Sequence, residues 1–529
     1  MDLVLSLGHN ASAIVVDNGY ILCGYEEERM SGVKSDSRYP LYAIGRLQER
    51  YGESFDNVYI GHWFVDAKLT HSKYCNIDHL SCLAPNAHWV DKDFTHHDSH
   101  FRSAKVFAKH YNFSKSYHAV IIDGFGTFGE CFSVYEVKDD LSKLIARKFG
   151  YDNSLGLLYQ YATAFMEMKM HNHEYKILGY EAHIHECARK TEINILNSLI
   201  QTHSEKWFTR NDIRSDPMVS NSALARVKFQ IHKLLTSVLE AIKYENKDIY
   251  DKRVVLSYFV QGLVENVVVK FLESFDIKNL LVSGGLFYNV KLNSILADRY
   301  SRFCVMPLAG DQGAGLGVYD AYAGDLIWPG HLFWGKRDLD PKFLFNHGIQ
   351  VINSRSTDEI YQALSGALLK DGYVNFIRGD MEFGPRALCN TSTLALPSMV
   401  SVNNINKMNG RTTIMPMAPV MTEEQAAVYL QNKAHIFGSL EYMVVTRRVN
   451  QSKMHNIRGA THVYSDKIAT CRPQITKDPL MVELLNEFGP LINTSFNVHG
   501  VPICFHTQDI IHSHMEQNKI SKIKTVVVI

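Results

Sequence analysis

The chain writes one short outline twice. Residues 3–28 run LVLSL, ASAIVV and, after a turn at Asp17-Asn18-Gly19, YILCGYEEE. Asp and Asn side chains bond nearby backbone and glycine accepts positive φ, so this stretch predicts a β-meander with a tight hairpin. Residues 118–137, HAVIIDGFGTFGECFSVYEV, again give a strand, a polar glycine-rich turn and a strand. Two such units in one chain predict a duplicated α/β fold that holds its ligand between the halves.

The intervening sequence fits that plan. Residues 154–170 and 255–275 predict helices, the second with Val264, Val267, Val268 and Phe271 on one face. KNLLVSGGLFYNVKLNSIL predicts a buried strand that breaks at Gly284-Gly285 into a helix, and RFCVMPLAGDQGAGLGVYDAY repeats the scheme. Strands that feed glycine-rich turns at helix starts are where α/β folds bind phosphate and nucleotide. A boundary is expected near 340–357, where Ser356-Thr-Asp-Glu359 forms a capping box ahead of IYQALSGALLK. That divides the chain into residues 1–350 and 351–529, the second docked rather than tethered because no low-complexity linker separates them.

Charge narrows the function. With 55 Lys and Arg against 55 Asp and Glu in 529 residues, no bulk positive potential is available for nucleic acid or a membrane surface, which leaves only a local basic groove. Nine dispersed cysteines, never closer than seven residues, make neither a disulfide framework nor a Cys-x-x-Cys metal knuckle. The N-terminus lacks the basic segment of a signal peptide, and no run reaches 18 uninterrupted apolar residues. A cytoplasmic protein with no membrane partner and no stable nucleic-acid partner is expected.

Several side chains stand out. Nine of the 25 histidines lie between 62 and 118. Among them His96 and His100 would share a face if helical, a spacing that suits one metal ion. The same pair also suits a surface or a core. Asp123, ahead of Gly124, and Asp311 each sit at a strand end with exposed backbone. They read as metal and phosphate ligands, or as turn and cap residues. Gly284 and Gly285 would let backbone approach a nucleotide, with Asn289 supplying an amide, or would serve plain helix-start packing. Arg378, Glu382, Arg386, Lys407, Arg411, His462, Arg472, Asn493, Ser495 and Asn497 give the C-terminal part arginine forks and short polar groups. Those suit phosphates or a planar carbamoyl or carboxyl group, while a solvated charged face is the plainer reading.

These pieces occur together in a known pattern. LGHNASA at 7–13, EEER at 26–29, HHDSH at 96–100, DGFG at 123–126, EYKILG at 174–179, SGGLFYN at 283–289, GDQGA at 310–314, MEFGPRAL at 381–388, MPMAP at 415–419 and NTSFN at 493–497 follow in order. In this the chain resembles the O-carbamoyltransferase family of nodulation and antibiotic biosynthesis. The resemblance implies an actin- and sugar-kinase-like duplicated module similar to the threonylcarbamoyl-transfer protein, fused to a twisted-sheet module similar to carbamoyl-adenylate synthases. It implies His96, His100, Asp123 and Asp311 as ligands of a divalent metal, Fe(2+) in the family. It puts Gly124, Gly284, Gly285 and Asn289 at the nucleotide, and His9 near the acceptor hydroxyl. Arg386, Arg411, Arg472, Ser495 and Asn497 then fall in the carbamoyl phosphate and adenylate cleft.

ATP, accompanied by Mg(2+), and carbamoyl phosphate are the implied substrates, a small-molecule hydroxyl compound the acceptor, and a homodimer the favoured assembly. The chain departs from the family pattern at Asn10, where an Asp is usual, at Thr391, which replaces an arginine, and at Lys407 and Asn409. Two other functions share parts of the pattern: threonylcarbamoyl transfer to tRNA, and a catalytically inactive nucleotide-binding regulator.

Overall fold

A computed structural model describes all residues except 63–73, 208–220, 246–247, 354–355, 412–413, 432–434 and 466–467. The N-terminal sheet contains β1 (Asp2–Ser6), β2 (Ser12–Asp17), β3 (Tyr20–Glu26), β4 (Asn57–Gly61) and β5 (Asn86–Trp89) in the order β3-β2-β1-β4-β5. β1 pairs antiparallel with β2 and parallel with β4. The second sheet contains β6 (Ser116–Ile122), β7 (Glu130–Lys138), β8 (Leu141–Phe149), β9 (Asn279–Ser283) and β10 (Arg302–Val305). Its order is β8-β7-β6-β9-β10, with β6 antiparallel to β7 and parallel to β9. The two repeats therefore share one topology, a duplicated α/β arrangement.

Alternation along β1 shows how a repeat is buried on both faces. Val4 joins Ile14, Val16 and Tyr59 in the main core, whereas Leu3 and Leu5 pack with Ala43, Ile44 and Leu47 on the other side. The helix α1 (His96–His110) follows β5. The helix α2 (Leu155–Phe165) stops short of the expected residue 170 because the chain turns through Met166 and Glu167, the latter at φ 56°. The helix α3 (Ile249–Leu272) is long and apolar enough to cross a membrane by composition, yet 61% of its most apolar window is buried. Its Gly262 lies against Ile200, an arrangement of helix-on-helix packing.

The helix α4 (Val290–Arg299) follows β9 and α5 (Ala314–Tyr322) follows β10, each entered through a short 3-10 turn, at 285–288 and 311–313, rather than directly from the strand. α1 and α5 cross so closely that a Cβ on Gly317 would fall 1.8 Å from the Ser99 carbonyl oxygen. This crossing sets the N-terminus of α1 beside the turn that precedes α5.

The C-terminal residues form a seven-stranded sheet. Its strands are β11 (Gln350–Ile352), β12 (Tyr373–Arg378), β13 (Thr391–Ala395), β14 (Ala418–Met421), β15 (Gln474–Ile475), β16 (Leu491–Ser495) and β17 (Thr525–Val528), in the order β11-β17-β12-β13-β16-β14-β15. The helix α6 (Thr357–Asp371) packs on it. Ser356 is its N-cap residue, but the expected capping hydrogen bond is not made; Asp358 and Glu359 instead place negative charge at the positive end of the helix. The chain then returns to the first module. His435–Ile436 pairs parallel with β10, and Tyr442, Val444 and Val445 join the main core.

Candidate active site

The N-terminus of α1 is set by Thr95, whose hydroxyl accepts from the Asp98 amide while the Asp98 carboxylate accepts from the Thr95 amide. One turn apart on this helix, His96 and His100 present their Nε2 atoms 3.0 Å from each other. Asp123 arrives from the β6–β7 turn and Asp311 from the turn before α5. His96 Nε2 lies 3.1 Å from Asp123 Oδ2 and 3.5 Å from Asp311 Oδ1, and His100 Nε2 lies 3.8 and 3.6 Å from the same two oxygens. One ligand atom from each of the four residues fits within 4.8 Å of all the others. Both imidazoles are fully buried and the carboxylates are mostly so.

Two nitrogen lone pairs and two carboxylates converging in a buried space fit a divalent cation such as Fe(II), Mn(II) or Zn(II). His97 turns away, with its Nδ1 2.8 Å from the Ser133 hydroxyl.

The charges support a cation here. Burial opposes protonation of His96, but hydrogen bonds to Asp123 and Asp311 outweigh it and push its pKa up to about 10. Burial also opposes ionisation of Asp311, and the two histidines overcome it, so that carboxyl is held below its usual range. In the metal-free protein His96 therefore holds a proton at neutral pH that a metal must displace. Apparent metal affinity is expected to rise about tenfold per pH unit between about pH 6 and 9, with one proton released per ion. Calorimetric titration with Zn(II) in buffers of different ionisation enthalpy measures that proton; pH-independent affinity would refute the ligand assignment.

The glycine turn after β9 is laced to this cluster. Gly284 has φ 101°, and a Cβ there would lie 2.3 Å from the Ile122 carbonyl oxygen, so only glycine fits. Its amide donates to Ala309 O at 2.9 Å. The Gly285 amide donates to Asp123 Oδ1 at 3.0 Å, so one carboxylate oxygen faces the histidines and the other holds the turn. The Gly124 carbonyl accepts from the Ser154 hydroxyl.

Asn289 differs from the expectation of an amide offered to nucleotide. Its Oδ1 caps α4 by accepting from the Leu292 amide (3.0 Å) and accepts from Gln261 (3.2 Å), while its Nδ2 donates to Tyr159 (2.9 Å) and Gln261 (3.0 Å). All its hydrogen-bonding capacity is used internally. His9 sits in the β1–β2 turn, the counterpart in the first repeat of the turn carrying Asp123, with its ring 5.2 Å from that of His171. Asn10 adopts φ 60°, a left-handed conformation that Asn and Asp both tolerate, which accounts for Asn at that position.

A second cluster lies in the C-terminal part. Arg386 and Arg411 lie close enough to Arg472 to depress it, and none of the three makes an ion pair among the described residues. Burial pushes Arg472 well down, with the charges of Arg386 and Arg411 adding to it; Arg386 and Arg411 are themselves lowered by burial. Arg411 Nη1 donates to Thr494 Oγ1 at 3.0 Å. Three half-buried arginines with no paired carboxylate among the described residues are suited to hold an anion. Ser495 ends β16, whereas Asn497 uses its Nδ2 on the Val498 and Val501 carbonyls and so shapes the following turn.

The loop that presents Arg386 is fixed from both modules. Glu382 accepts from the amides of Leu388, Asn390 and Thr391 at 2.7, 2.9 and 3.0 Å. From the N-terminal module, Glu26 Oε2 accepts from the Gly384 amide (3.0 Å) and Arg29 Nη2 donates to the Gly384 carbonyl (3.0 Å). Thr391, where the family pattern has arginine, accepts from Arg337, whose Nε and Nη1 have no partner among the described residues. Arg378, by contrast, is engaged by Asp478 at 3.0 Å.

Arg386 approaches Tyr288, whose hydroxyl accepts from Gln312, the residue after Asp311. The two clusters are thus neighbours. The sequence match follows the same division: residues 83–319 match the carbamoyltransferase N-terminus and residues 365–528 the carbamoyltransferase C-terminus. The chain belongs to the carbamoyltransferase family. A Methanocaldococcus jannaschii protein of uncharacterised function is 27% identical over 96% of this chain and 95% of its own length. A nodulation protein of Sinorhizobium fredii is 23% identical over 97% of this chain and 77% of its own. The 3'-hydroxymethylcephem-O-carbamoyltransferase of Amycolatopsis lactamdurans is 31% identical over 44% of this chain and 45% of its own. This protein is a carbamoyltransferase enzyme.

His62 is a residue the sequence reading did not single out. It follows β4 as the Gly284 turn follows β9, and it is 2% exposed. Burial and the charge of His96 push its pKa down to about 3 against the pull of Asp311, so a neutral imidazole stands beside the cluster. Its position just past a strand end, in a stretch rich in histidine, was the available signal.

Proposed function

We propose that this carbamoyltransferase is ATP-dependent and works in two stages, with residues 351–529 forming carbamoyl adenylate and residues 1–350 transferring its carbamoyl group to a hydroxyl of a small-molecule acceptor. In the first stage carbamoyl phosphate is hydrolysed to carbamate and phosphate, and a carbamate oxygen attacks the α-phosphorus of ATP, releasing pyrophosphate. In the second the acceptor hydroxyl attacks the adenylate carbonyl and AMP leaves. The observation that carries this reading is the trio Arg386, Arg411 and Arg472, half-buried together with no ion-pair partner among the described residues, with Arg386 near Tyr288 beside the four-ligand cluster.

The chemistry follows from the groups. Carbamate has no good leaving group, and adenylation supplies AMP. These arginines oppose the charge that builds on phosphate in the transition state. Bound at His96, His100, Asp123 and Asp311, a divalent metal supplies Lewis acidity toward carbonyl or phosphoryl oxygen. His9, at a turn end and partly accessible, accepts the proton of the acceptor hydroxyl. The Gly384 clamp keeps the arginine loop against the first module, which shortens the distance the labile adenylate must travel.

Pyrophosphate release from purified metal-loaded protein, with ATP and with or without carbamoyl phosphate, tests the reading. Release is expected only when both are present. Equal rates with ATP alone would leave ordinary ATP hydrolysis as the activity and sink the two-stage scheme.

A further inference from the structure

Behind the histidines lies a second buried charge system that the proposed chemistry does not use. Glu130, fully buried at the start of β7, accepts from the His97 amide at 2.9 Å through Oε1 and from the Thr95 hydroxyl at 3.1 Å through Oε2. Arg147 on β8 lies 3.3 Å from Glu130 Oε2 through Nε, and its Nη2 donates to Asp98 Oδ1 at 2.9 Å. Tyr135 on β7 donates to the same Asp98 oxygen at 2.6 Å and stacks on Phe101 of α1, with ring centroids 4.1 Å apart. Thr127, in the turn that carries Asp123, accepts from the His96 amide at 3.0 Å. Apart from the Glu130–Arg147 pair, which ties β7 to β8, these contacts join the β6–β8 meander of the second repeat to the N-terminal turns of α1.

A buried ion pair of this kind is a poor source of stability, because desolvation offsets its attraction, and an apolar pair would often serve as well. Its value here is geometric. His96 and His100 belong to the helix of one repeat and Asp123 to the hairpin of the other, so nothing local holds their ligand atoms in register.

We propose that Glu130 and Arg147 are positioning residues for the metal centre, a clamp that locks the N-terminus of α1 onto the β6–β8 meander and fixes His96 and His100 opposite Asp123. Burial pushes the Glu130 pKa up to about 7 against the pull of Arg147, and its Oε1 takes the His97 amide hydrogen at the helix N-terminus without competing for the ligands. The proposal rests on reading the four-residue cluster as a metal site, and it concerns only the residues behind it.

Titration of the metal-free full chain with Co(II), followed by its visible absorption, tests the clamp without any turnover. Glu130→Gln and Arg147→Met are expected to weaken Co(II) binding by roughly 10–100-fold and to change the absorption envelope, as loss of groups that orient ligands does. Arg147→Lys, which keeps the charge, is expected to recover part of the affinity. Tyr135→Phe, which removes one hydroxyl and leaves the ion pair, gives a milder version in case the charge variants fold poorly, and far-UV dichroism with thermal midpoints checks folding. Folded Tyr135→Phe and Arg147→Met proteins with wild-type affinity and spectrum would overturn the clamp alone. Wild-type protein that takes up no Co(II) would overturn the metal reading and the clamp with it.

Discussion

Arg386→Ala is expected to remove carbamoyl-phosphate-dependent pyrophosphate release, lowering kcat by roughly a hundredfold or more, as loss of one donor to a developing oxyanion does. Arg386 sits two residues beyond Gly384, whose amide and carbonyl are both held by the N-terminal module, so its guanidinium is presented from a fixed loop. Its charge helps depress Arg472, so removing it relieves that repulsion. The variant should therefore fold at least as well as the parent, and the defect should appear in turnover. Steady-state pyrophosphate release, with the thermal midpoint measured in parallel, decides the matter. Release within threefold of wild type would take the anion site away from these arginines.

Asp311→Asn should act on the other half of the reaction. Asp311 Oδ1 faces both imidazoles, at 3.5 and 3.6 Å, and its loss leaves Asp123 as the one carboxylate ligand to two histidines. An amide oxygen carries no charge to balance the cation, so metal affinity should fall steeply and carbamoyl transfer to an acceptor by roughly a hundred- to a thousandfold. Pyrophosphate release should survive, because the arginine cluster lies in the other module. The metal content after gel filtration and the ratio of product to pyrophosphate give the answer. A variant that retains metal and transfers normally would remove Asp311 from the ligand set. A variant that loses both half-reactions would show that the two sites are not separable.

The legible parts of this protein are those set by neighbours in sequence. The strand–turn–strand outline at 3–28 and 118–137 became the meanders of two sheets with one topology. The spacing of His96 and His100 put both rings on one helical face because residues four apart are neighbours there. The expected helix over 154–170 ended early, and the expected cap at Ser356 lacked its hydrogen bond, because helix ends depend on what the following residues pack against. Asn289 had the residue type of a nucleotide contact but is consumed by Tyr159, Gln261 and the start of α4, partners that a one-dimensional reading does not contain.

By itself, then, the sequence determined the duplicated α/β plan, the glycine turns and the candidate ligand types, all of which follow from periodicity, turn chemistry and residue chemistry within a few positions. The family resemblance named His96, His100, Asp123 and Asp311 together; the tertiary structure supplied the geometry of their meeting, and it alone decided that EEER closes on Gly384, that Arg386 and Arg411 approach Arg472, and that Glu130 and Arg147 stand behind the N-terminus of α1. Those contacts join residues tens to hundreds of positions apart. They depend on how two sheets and the crossing of α1 with α5 pack, a matter of shape and desolvation summed over the whole core.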